Sequence, residues 1–159
     1  MVNYSYLENS SLISGYTSPN GFEVTKSYEP NRNLITEVKN QFDNSVISQY
    51  NYTNDEIGRR TQRIDTMANI TTNTFGYNSK SELIAAAFGL DDYGYDYDQI
   101  GNRLTYESPL ITNTYLSSSL NQYTNITNGT TEQPTCDTDG NMLTQATTPP
   151  YEIHDQKNL

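Results

Sequence analysis

Aromatic and polar residues alternate in several short stretches of this chain, which is the pattern of a β-strand with one packed face. Tyr93, Tyr95 and Tyr97 occupy every second position, and Tyr50 and Tyr52 show the same spacing earlier in the chain. Because successive side chains of a strand point to opposite faces of a sheet, each set of rings lines one face. The pattern therefore predicts short β-strands with tyrosine on one side.

Turn signals follow these tyrosine patterns. One segment rich in Asp, Gly and Asn covers residues 98–102, and another covers residues 137–141. Gly101 and Gly140 can adopt positive φ without a steric penalty, as tight hairpin turns require. A second strand is expected at 103–106 and at 142–145, so that one unit of the pattern forms a β-hairpin.

The strand–turn–strand pattern repeats along the chain. Segments 50–61 and 93–104 align without gaps and share Tyr, Tyr, Asp, Ile, Gly and Arg, while residues 136–143 repeat the Asp, Gly, Asn and Leu. Such a period is typical of repeat proteins. The pattern predicts an all-β region at 1–145, followed by a polar tail with two prolines at 146–159. About seven units are expected, anchored at Tyr6, Tyr28, Asn54, Tyr77, Tyr97, Tyr115 and Cys136.

The residues that define the repeat are expected to have structural roles in strands, turns and ring stacks. Rings at a fixed register can stack between neighbouring strands, and each such aromatic pair contributes roughly 0.2–1 kcal/mol. Alternatively, Tyr93, Tyr95 and Tyr97 form an exposed platform that contacts carbohydrate. The repeat residues are Tyr52, Asp55, Gly58, Tyr95, Tyr97, Asp98, Gly101, Asn102, Leu104, Tyr123, Asp137, Gly140, Asn141 and Leu143.

Residues 79–89 carry two conflicting signals. Ser79, a run of helix-forming residues and Gly89 favour a helix over 81–88. The repeat register instead places a turn at 78–81 and a strand at 82–87. Because intrinsic helix propensity is weak compared with tertiary context, we predict a strand here.

These residues resemble the RHS/YD-repeat family. The phrases YDYDQIGNRLTY at 95–106, SSLNQYTNIT at 118–127 and CDTDGNMLTQ at 136–145 are similar to the family motif. That motif has Tyr-Asp, two variable residues, then Gly-Asn or Gly-Arg and Leu. The resemblance implies tandem β-hairpins in a curved or spiralling antiparallel sheet that forms part of a hollow shell. The family includes bacterial polymorphic toxins, insecticidal toxin-complex components, cell-wall-associated proteins and teneurins.

The resemblance also implies a function. In the toxins the shell encloses a C-terminal effector, and in teneurins it serves cell-surface adhesion. This chain is therefore expected to be a non-catalytic structural segment of an RHS-type shell that encapsulates or scaffolds a toxin or partner. Its expected partners are neighbouring repeats, a second copy or an enclosed protein. The alternative is a cell-surface carbohydrate-binding or adhesion module that uses exposed Tyr and Asn.

The chain departs from the family pattern at several positions. Only Asp55, Asp98 and Asp137 keep the Asp-x-x-Gly core, and the Asp-Pro and Gly-Gly segment that ends toxin shells is not found. We therefore expect a fragment or a small relative rather than a complete toxin. The family implies a secreted or surface protein, yet the N-terminal residues show no signal peptide.

Composition and charge narrow the range of partners. Hydrophobic residues make up 33% of the chain, and no apolar stretch approaches the roughly 20 residues of a membrane span, so membrane insertion is not expected. Nine Lys and Arg residues and a net charge of −10 cannot neutralise a phosphate backbone, so nucleic acid is not an expected partner.

Catalytic and metal-binding patterns are weak, and we predict no enzyme activity, cofactor or metal. The chain has one histidine, His154, and one cysteine, Cys136. A Ser-His-Asp triad would have to use that single histidine, and a cysteine zinc site needs several ligands. The weaker alternative is a hydrolase that uses acidic residues between Asp91 and Asp98 as paired carboxylates. Residues 137–141 resemble a calcium loop but lack its later Gly and Glu.

Overall fold

The computed structural model describes residues 1–143, and all regular structure in that range is β-strand. The strands follow one another in sequence order in a single antiparallel sheet, which confirms the prediction of tandem β-hairpins. The predicted tail at 146–159 lies outside the described residues. The strands are β1 (Asn3–Tyr6), β2 (Ile13–Thr17), β3 (Phe22–Tyr28), β4 (Ile35–Phe42), β5 (Ser45–Asn54), β6 (Arg60–Thr66), β7 (Ile70–Tyr77), β8 (Leu83–Phe88), β9 (Asp91–Tyr97), β10 (Arg103–Glu107), β11 (Thr112–Ser117), β12 (Tyr123–Thr127) and β13 (Thr131–Glu132).

The conflict over residues 79–89 is decided in favour of a strand. Leu83–Phe88 forms β8 and pairs with β7 over five residue pairs. The preceding turn brings Ser81 into a positive φ of 66°. A right-handed helix cannot pass through such a residue, so the turn ends the local helix signal and the cross-strand pairing replaces it.

The sheet is divided into two compact units. The first is Met1–Tyr93 and holds β1 to β8 with the start of β9, and the second begins at Gly94. Within each unit the two ends of the strands carry different connections. One end carries what we call the motif turns, at 7–12, 29–34, 55–59 and 78–82 in the first unit and at 98–102, 118–122 and 137–141 in the second. The other end carries connections such as the two-residue turn at Asp43 and Asn44.

Six motif hairpins carry a β-bulge at the same place. In the β5–β6 hairpin, for example, Asn54 pairs with Arg60 but Thr53 pairs with Gln62, so Thr61 is the extra residue. The extra residue is always the second residue of the strand that follows the turn. A bulge bends its strand and increases the local twist, so the repeat carries its own source of curvature. The six extra residues are Ser14, Thr36, Thr61, Ile84, Leu104 and Thr124.

Seven side chains of the described residues are buried, and all lie on the face that carries the aromatic rings. We call this the tyrosine face of each unit. Register assigns the faces, since Val24 pairs with Tyr16, Asp65 with Tyr50 and Tyr106 with Tyr95. None of these side chains is completely enclosed, as expected for a one-layer sheet stabilised mainly by cross-strand pairs. The seven are Val24, Ala86, Tyr106, Ser48, Asp65, Asn73 and Asn113.

Close approach of β2 and β3 depends on a glycine. A Cβ at Gly15 would collide with the carbonyl oxygen of Val24, whereas the nearest neighbour of a Cβ at Gly76 would be the Cβ of Ala85, at 3.3 Å. We expect Gly15→Ala to lower the free energy of unfolding by about 1–3 kcal/mol, because the two strands must separate. Gly76→Ala is the matched control and should change it less. Urea unfolding measures both, and equal midpoints for the two variants would contradict this account.

Candidate functional site

The candidate site is the motif turn, where most of the predicted repeat residues meet. In the turn at 98–102, Asp98 Oδ1 accepts hydrogen bonds from the backbone N–H of Ile100 and of Asn102, both at 2.9 Å. Asn102 Nδ2 donates to Asp98 Oδ2, also at 2.9 Å. The Asp98 N–H donates to the Asn102 carbonyl, and Gly101, at φ 95°, donates to the Asp98 carbonyl. Both carboxylate oxygens are therefore engaged within the turn.

The same arrangement recurs in two further turns. Asp55 accepts from the N–H of Ile57 and of Arg59, and Arg59 Nε donates to its second oxygen at 2.7 Å. The third copy begins at Asp137, where Asn141 donates through both its N–H and its Nδ2. Gly58 and Gly140 have φ values of 91° and 89°, so each fills the position that favours glycine.

Two other turns have this geometry with different residues. The repeat register predicted the one at 78–81, whereas the one that begins at Ser118 was not predicted. Asn78 accepts through Oδ1 from the N–H of Lys80 and of Glu82, and Ser118 accepts through Oγ from Leu120 and Gln122. The signal is a short polar residue followed three positions later by a residue that tolerates positive φ. In the other units the predicted anchor is the residue directly before the motif turn. Before the Ser118 turn this residue is Ser117, which pairs with Tyr123, so the predicted anchor Tyr115 lies two residues too early.

The turn hydrogen bonds hold the aspartates in their charged form. The side-chain hydrogen bond from Asn102 lowers the pKa of Asp98 below its ordinary value, and that from Asn141 does the same for the pKa of Asp137. Desolvation of Asp55 acts to raise its pKa, but the hydrogen bonds and positive charge of Arg59 outweigh it. All three pKa values are therefore lowered, as expected for carboxylates that accept several N–H groups.

Neighbouring motif turns of the first unit are joined by polar side chains. Arg32 Nη1 donates to the Asp55 carbonyl at 2.7 Å, and Asn54 Nδ2 donates to Glu29 Oε1 at 3.1 Å. Arg59 bonds its own turn and also reaches the Asn78 carbonyl at 3.0 Å. The turn at 55–59 is thus bonded to the turns on both sides of it, as in other repeat proteins whose units contact only their neighbours.

Ring contacts flank the motif turns. The guanidinium of Arg60 lies 3.8 Å from the ring centroid of Tyr52, and that of Arg103 lies 5.4 Å from the ring of Tyr95. At the corresponding positions of the next hairpin, two tyrosine rings are 5.2 Å apart. The residue that follows the turn therefore packs on a ring three residues before the turn. Cation–π and aromatic pairs of this kind contribute modestly but repeatedly.

Two asparagines at related positions of the tyrosine face have different partners. Asn73 Nδ2 donates to Asp65 Oδ2 at 3.1 Å, and Asp65 also forms a two-point ion pair with Arg63 at 2.6 and 2.7 Å. Asn113 is equally buried, yet its Oδ1 has no hydrogen-bond partner within the described residues. Tyr106 stands opposite Asn113, where the first unit has Arg63 opposite Asn73.

The predicted carbohydrate contacts are all half-buried residues of β9. The Tyr93 ring meets Phe88 edge-on at 5.7 Å, and the Tyr95 ring packs against Tyr106 at the same distance. Tyr97 pairs with Arg103 across the hairpin. The remaining strand residues of the repeat also take defined places, with Leu104 at a bulge and Tyr123 accepting a hydrogen bond from the Arg103 N–H at 3.1 Å.

Two of the acidic residues between Asp91 and Asp98 have separate partners. Asp96 is exposed and accepts from Thr105 Oγ1, whereas the carboxylate of Asp98 is occupied by its own turn. No cluster of His, Cys, Asp and Glu suited to a metal ion is found among residues 1–143. Within the same range, no helix has the length and apolarity that a membrane crossing needs.

Comparison with known proteins finds similarity in fold only. No protein-family model and no curated protein matches the sequence. Its fold is similar to that of a polypeptide in the crystal structure of TcdB2-TccC3-Cdc42, with a TM-score of 0.67 and 16% sequence identity. The match covers 79% of this chain and 7% of that chain. The protein thus has the tandem-hairpin architecture that the RHS/YD resemblance implies, and it spans a small part of that solved chain.

The lowered pKa values of Asp55, Asp98 and Asp137 predict how stability depends on pH. Each carboxylate binds protons less readily in the folded than in the unfolded state, so its stabilisation is complete well above the ordinary Asp pKa of about 3.9 and is lost as pH falls. The urea midpoint should stay constant above about pH 5 and decline below it. Asp98→Asn should weaken the decline, while Asp96→Asn, outside the turn, should not. An unchanged decline in Asp98→Asn would contradict the assignment.

The two buried asparagines provide a second test. Asn73→Ala removes a donor from buried Asp65 and should lower the free energy of unfolding by about 1–3 kcal/mol. Asn113→Ala removes a side chain of the same size whose Oδ1 lacks a partner, so its cost should be smaller. Urea unfolding, followed separately for each unit by hydrogen exchange, compares the two variants. A greater loss in Asn113→Ala would show that an unseen partner satisfies it.

Proposed function

We propose that this protein is a non-catalytic structural repeat module, a segment of an RHS-type β-shell that encapsulates or scaffolds a toxin or partner. The observation that carries the proposal is the motif turn. In the turns that begin at Asp55 and Asp98 the carboxylate oxygens close the turn, and Arg59 also binds the next turn, so these polar groups are engaged in structure. A side chain whose polar atoms are all hydrogen-bonded within the fold can serve the same structural role in every unit, but it is poorly suited to catalysis.

The two faces of the first unit support a one-sided role. The buried side chains lie on the tyrosine face, whereas register places Glu37, Gln49 and Asn51 together on the opposite face, where they hydrogen-bond to one another. A polar network that satisfies itself needs no partner and tolerates water. We therefore infer that an enclosed or scaffolded protein contacts the tyrosine face.

Carbohydrate binding by Tyr93, Tyr95 and Tyr97 remains the second candidate, favoured by the close spacing of three half-buried rings on one strand. A sugar platform needs an open ring face. Arg103 lies over the Tyr95 ring at 5.4 Å, and Tyr106 packs beside it. These contacts favour a stacking role for Tyr95 and make the structural module the preferred proposal.

Two lysines on opposite faces test the one-sided role. Lys26 pairs with Val38 on the tyrosine face, and Lys39 pairs with Thr25 and Gln49 on the other face. A photo-crosslinking amino acid is placed at 26 or at 39 in cells that naturally produce the protein. We expect one defined protein, identified by mass spectrometry, to be crosslinked from position 26 and not from position 39.

Other outcomes separate the candidates. Crosslinking from position 39 alone, or to no protein from either position, would overturn the proposal that the tyrosine face holds a partner. A glycan array with the same protein tests the second candidate. Binding that is lost in both Tyr95→Ala and Tyr97→Ala, without loss of folding, would favour carbohydrate recognition instead.

A further inference from the structure

Two Asn-Gly pairs occur in turns with different hydrogen bonding. Asn20-Gly21 lies between β2 and β3, and Asn128-Gly129 lies between β12 and β13. Glycine after asparagine leaves the next backbone nitrogen sterically open, so the asparagine can undergo intramolecular deamidation. The two sites therefore share one local chemistry and differ only in how the fold holds them.

The reaction uses water as its only co-reactant. The Gly backbone nitrogen attacks Cγ of the Asn, a new bond forms between that nitrogen and Cγ, and the bond from Cγ to Nδ2 breaks as ammonia leaves. Water then opens the resulting succinimide at either carbonyl, which gives aspartate or isoaspartate. The attacking nitrogen must give up its N–H hydrogen bond and approach Cγ, so a turn that engages either group protects the site.

The turn at Asn20 engages both groups. The Gly21 N–H donates to the Ser18 carbonyl at 3.1 Å, and Asn20 Oδ1 accepts from the Phe22 N–H at 3.3 Å. The Gly21 carbonyl also accepts from the Asp43 N–H, which ties this turn to the neighbouring one. Succinimide formation at Asn20 therefore requires several hydrogen bonds to open first.

The turn at Asn128 leaves the same groups unengaged. Its backbone bond runs from the Asn128 N–H to the Thr130 carbonyl at 3.0 Å. Within residues 1–143, neither the Gly129 N–H nor the Asn128 side chain makes a hydrogen bond, and no atom outside residues 128–130 lies within 4 Å of the place a Gly129 Cβ would occupy. Solvent exposure does not explain the contrast, since Asn20 is the more exposed of the two.

We propose that Asn128 is a site of spontaneous deamidation in the folded protein and that Asn20 is protected from it. The product adds a negative charge, and the isoaspartate form also adds a main-chain methylene. That insertion falls beside the Thr127–Thr131 pair, whose hydroxyl groups are 3.1 Å apart. Deamidation at Asn128 therefore alters the β12–β13 pairing as the protein ages.

Peptide mapping of the intact protein tests the proposal. The folded protein is incubated at mildly alkaline pH and 37 °C, digested briefly with chymotrypsin near neutral pH beside an unincubated sample, and analysed by tandem mass spectrometry for a mass gain of about 1 Da and for isoaspartate. We expect Asn128 to deamidate at least about fivefold faster than Asn20, the factor expected when one ordinary hydrogen bond must first open. In concentrated urea the two rates should converge, because the fold no longer distinguishes the two pairs.

Two results would overturn the proposal. One is an equal or faster rate at Asn20 in the folded protein, and the other is a rate difference that persists in urea. Asn128→Gln is the matched control, since its longer side chain forms the required ring far more slowly. It should abolish the mass gain in the peptide that begins after Tyr123 and leave the Asn20 peptide unchanged.

Discussion

Five of the seven motif turns in residues 1–143 depend on one side-chain oxygen at their first position. In the Asp98 turn this oxygen accepts from residues two and four positions later, which fixes the turn at five residues. A five-residue turn makes Tyr97 pair with Arg103, and the bulge at Leu104 follows. The six-residue turns at 7–12 and 29–34 are followed by the same bulge. A one-residue slip in the strand pairing would move the tyrosines to the opposite face.

A single-layer sheet places a second constraint on the sequence, because it has no closed core in which apolar groups can accumulate. Four of the seven buried side chains in residues 1–143 are polar, and cross-strand hydrogen bonds join Ser48 to Asn40 and Asp65 to Asn73. Buried polar groups are tolerated when their hydrogen bonds are satisfied. Stability is thus assembled pairwise between neighbours, which explains why the low hydrophobic content is compatible with a regular fold.

The sequence predicted the elements whose signals are local. Alternation of Tyr93, Tyr95 and Tyr97 located a strand, Gly101 located a turn, and the repeat register correctly outweighed the helix signal at 81–88. The repeat register predicted the turn at 78–81, but the turn that begins at Ser118 was missed, because a hydroxyl oxygen replaces the aspartate there and Asn121 replaces the glycine. The contacts between turns, such as Arg59 with Asn78, join residues distant in sequence and could not be read from spacing.

Repetition also limits which chemistry the molecule can offer. A carboxylate that accepts three hydrogen bonds and has a lowered pKa is a poor proton donor near neutral pH, so Asp98 is unsuited to general acid catalysis. A ring that carries a guanidinium on its face has less surface for a ligand, as for Tyr52 beneath Arg60. The turn carboxylates and the stacked rings that define the repeat therefore serve its structure. The proposed protein partner would therefore contact the extended surface of the sheet, which fits a protein better than a small substrate.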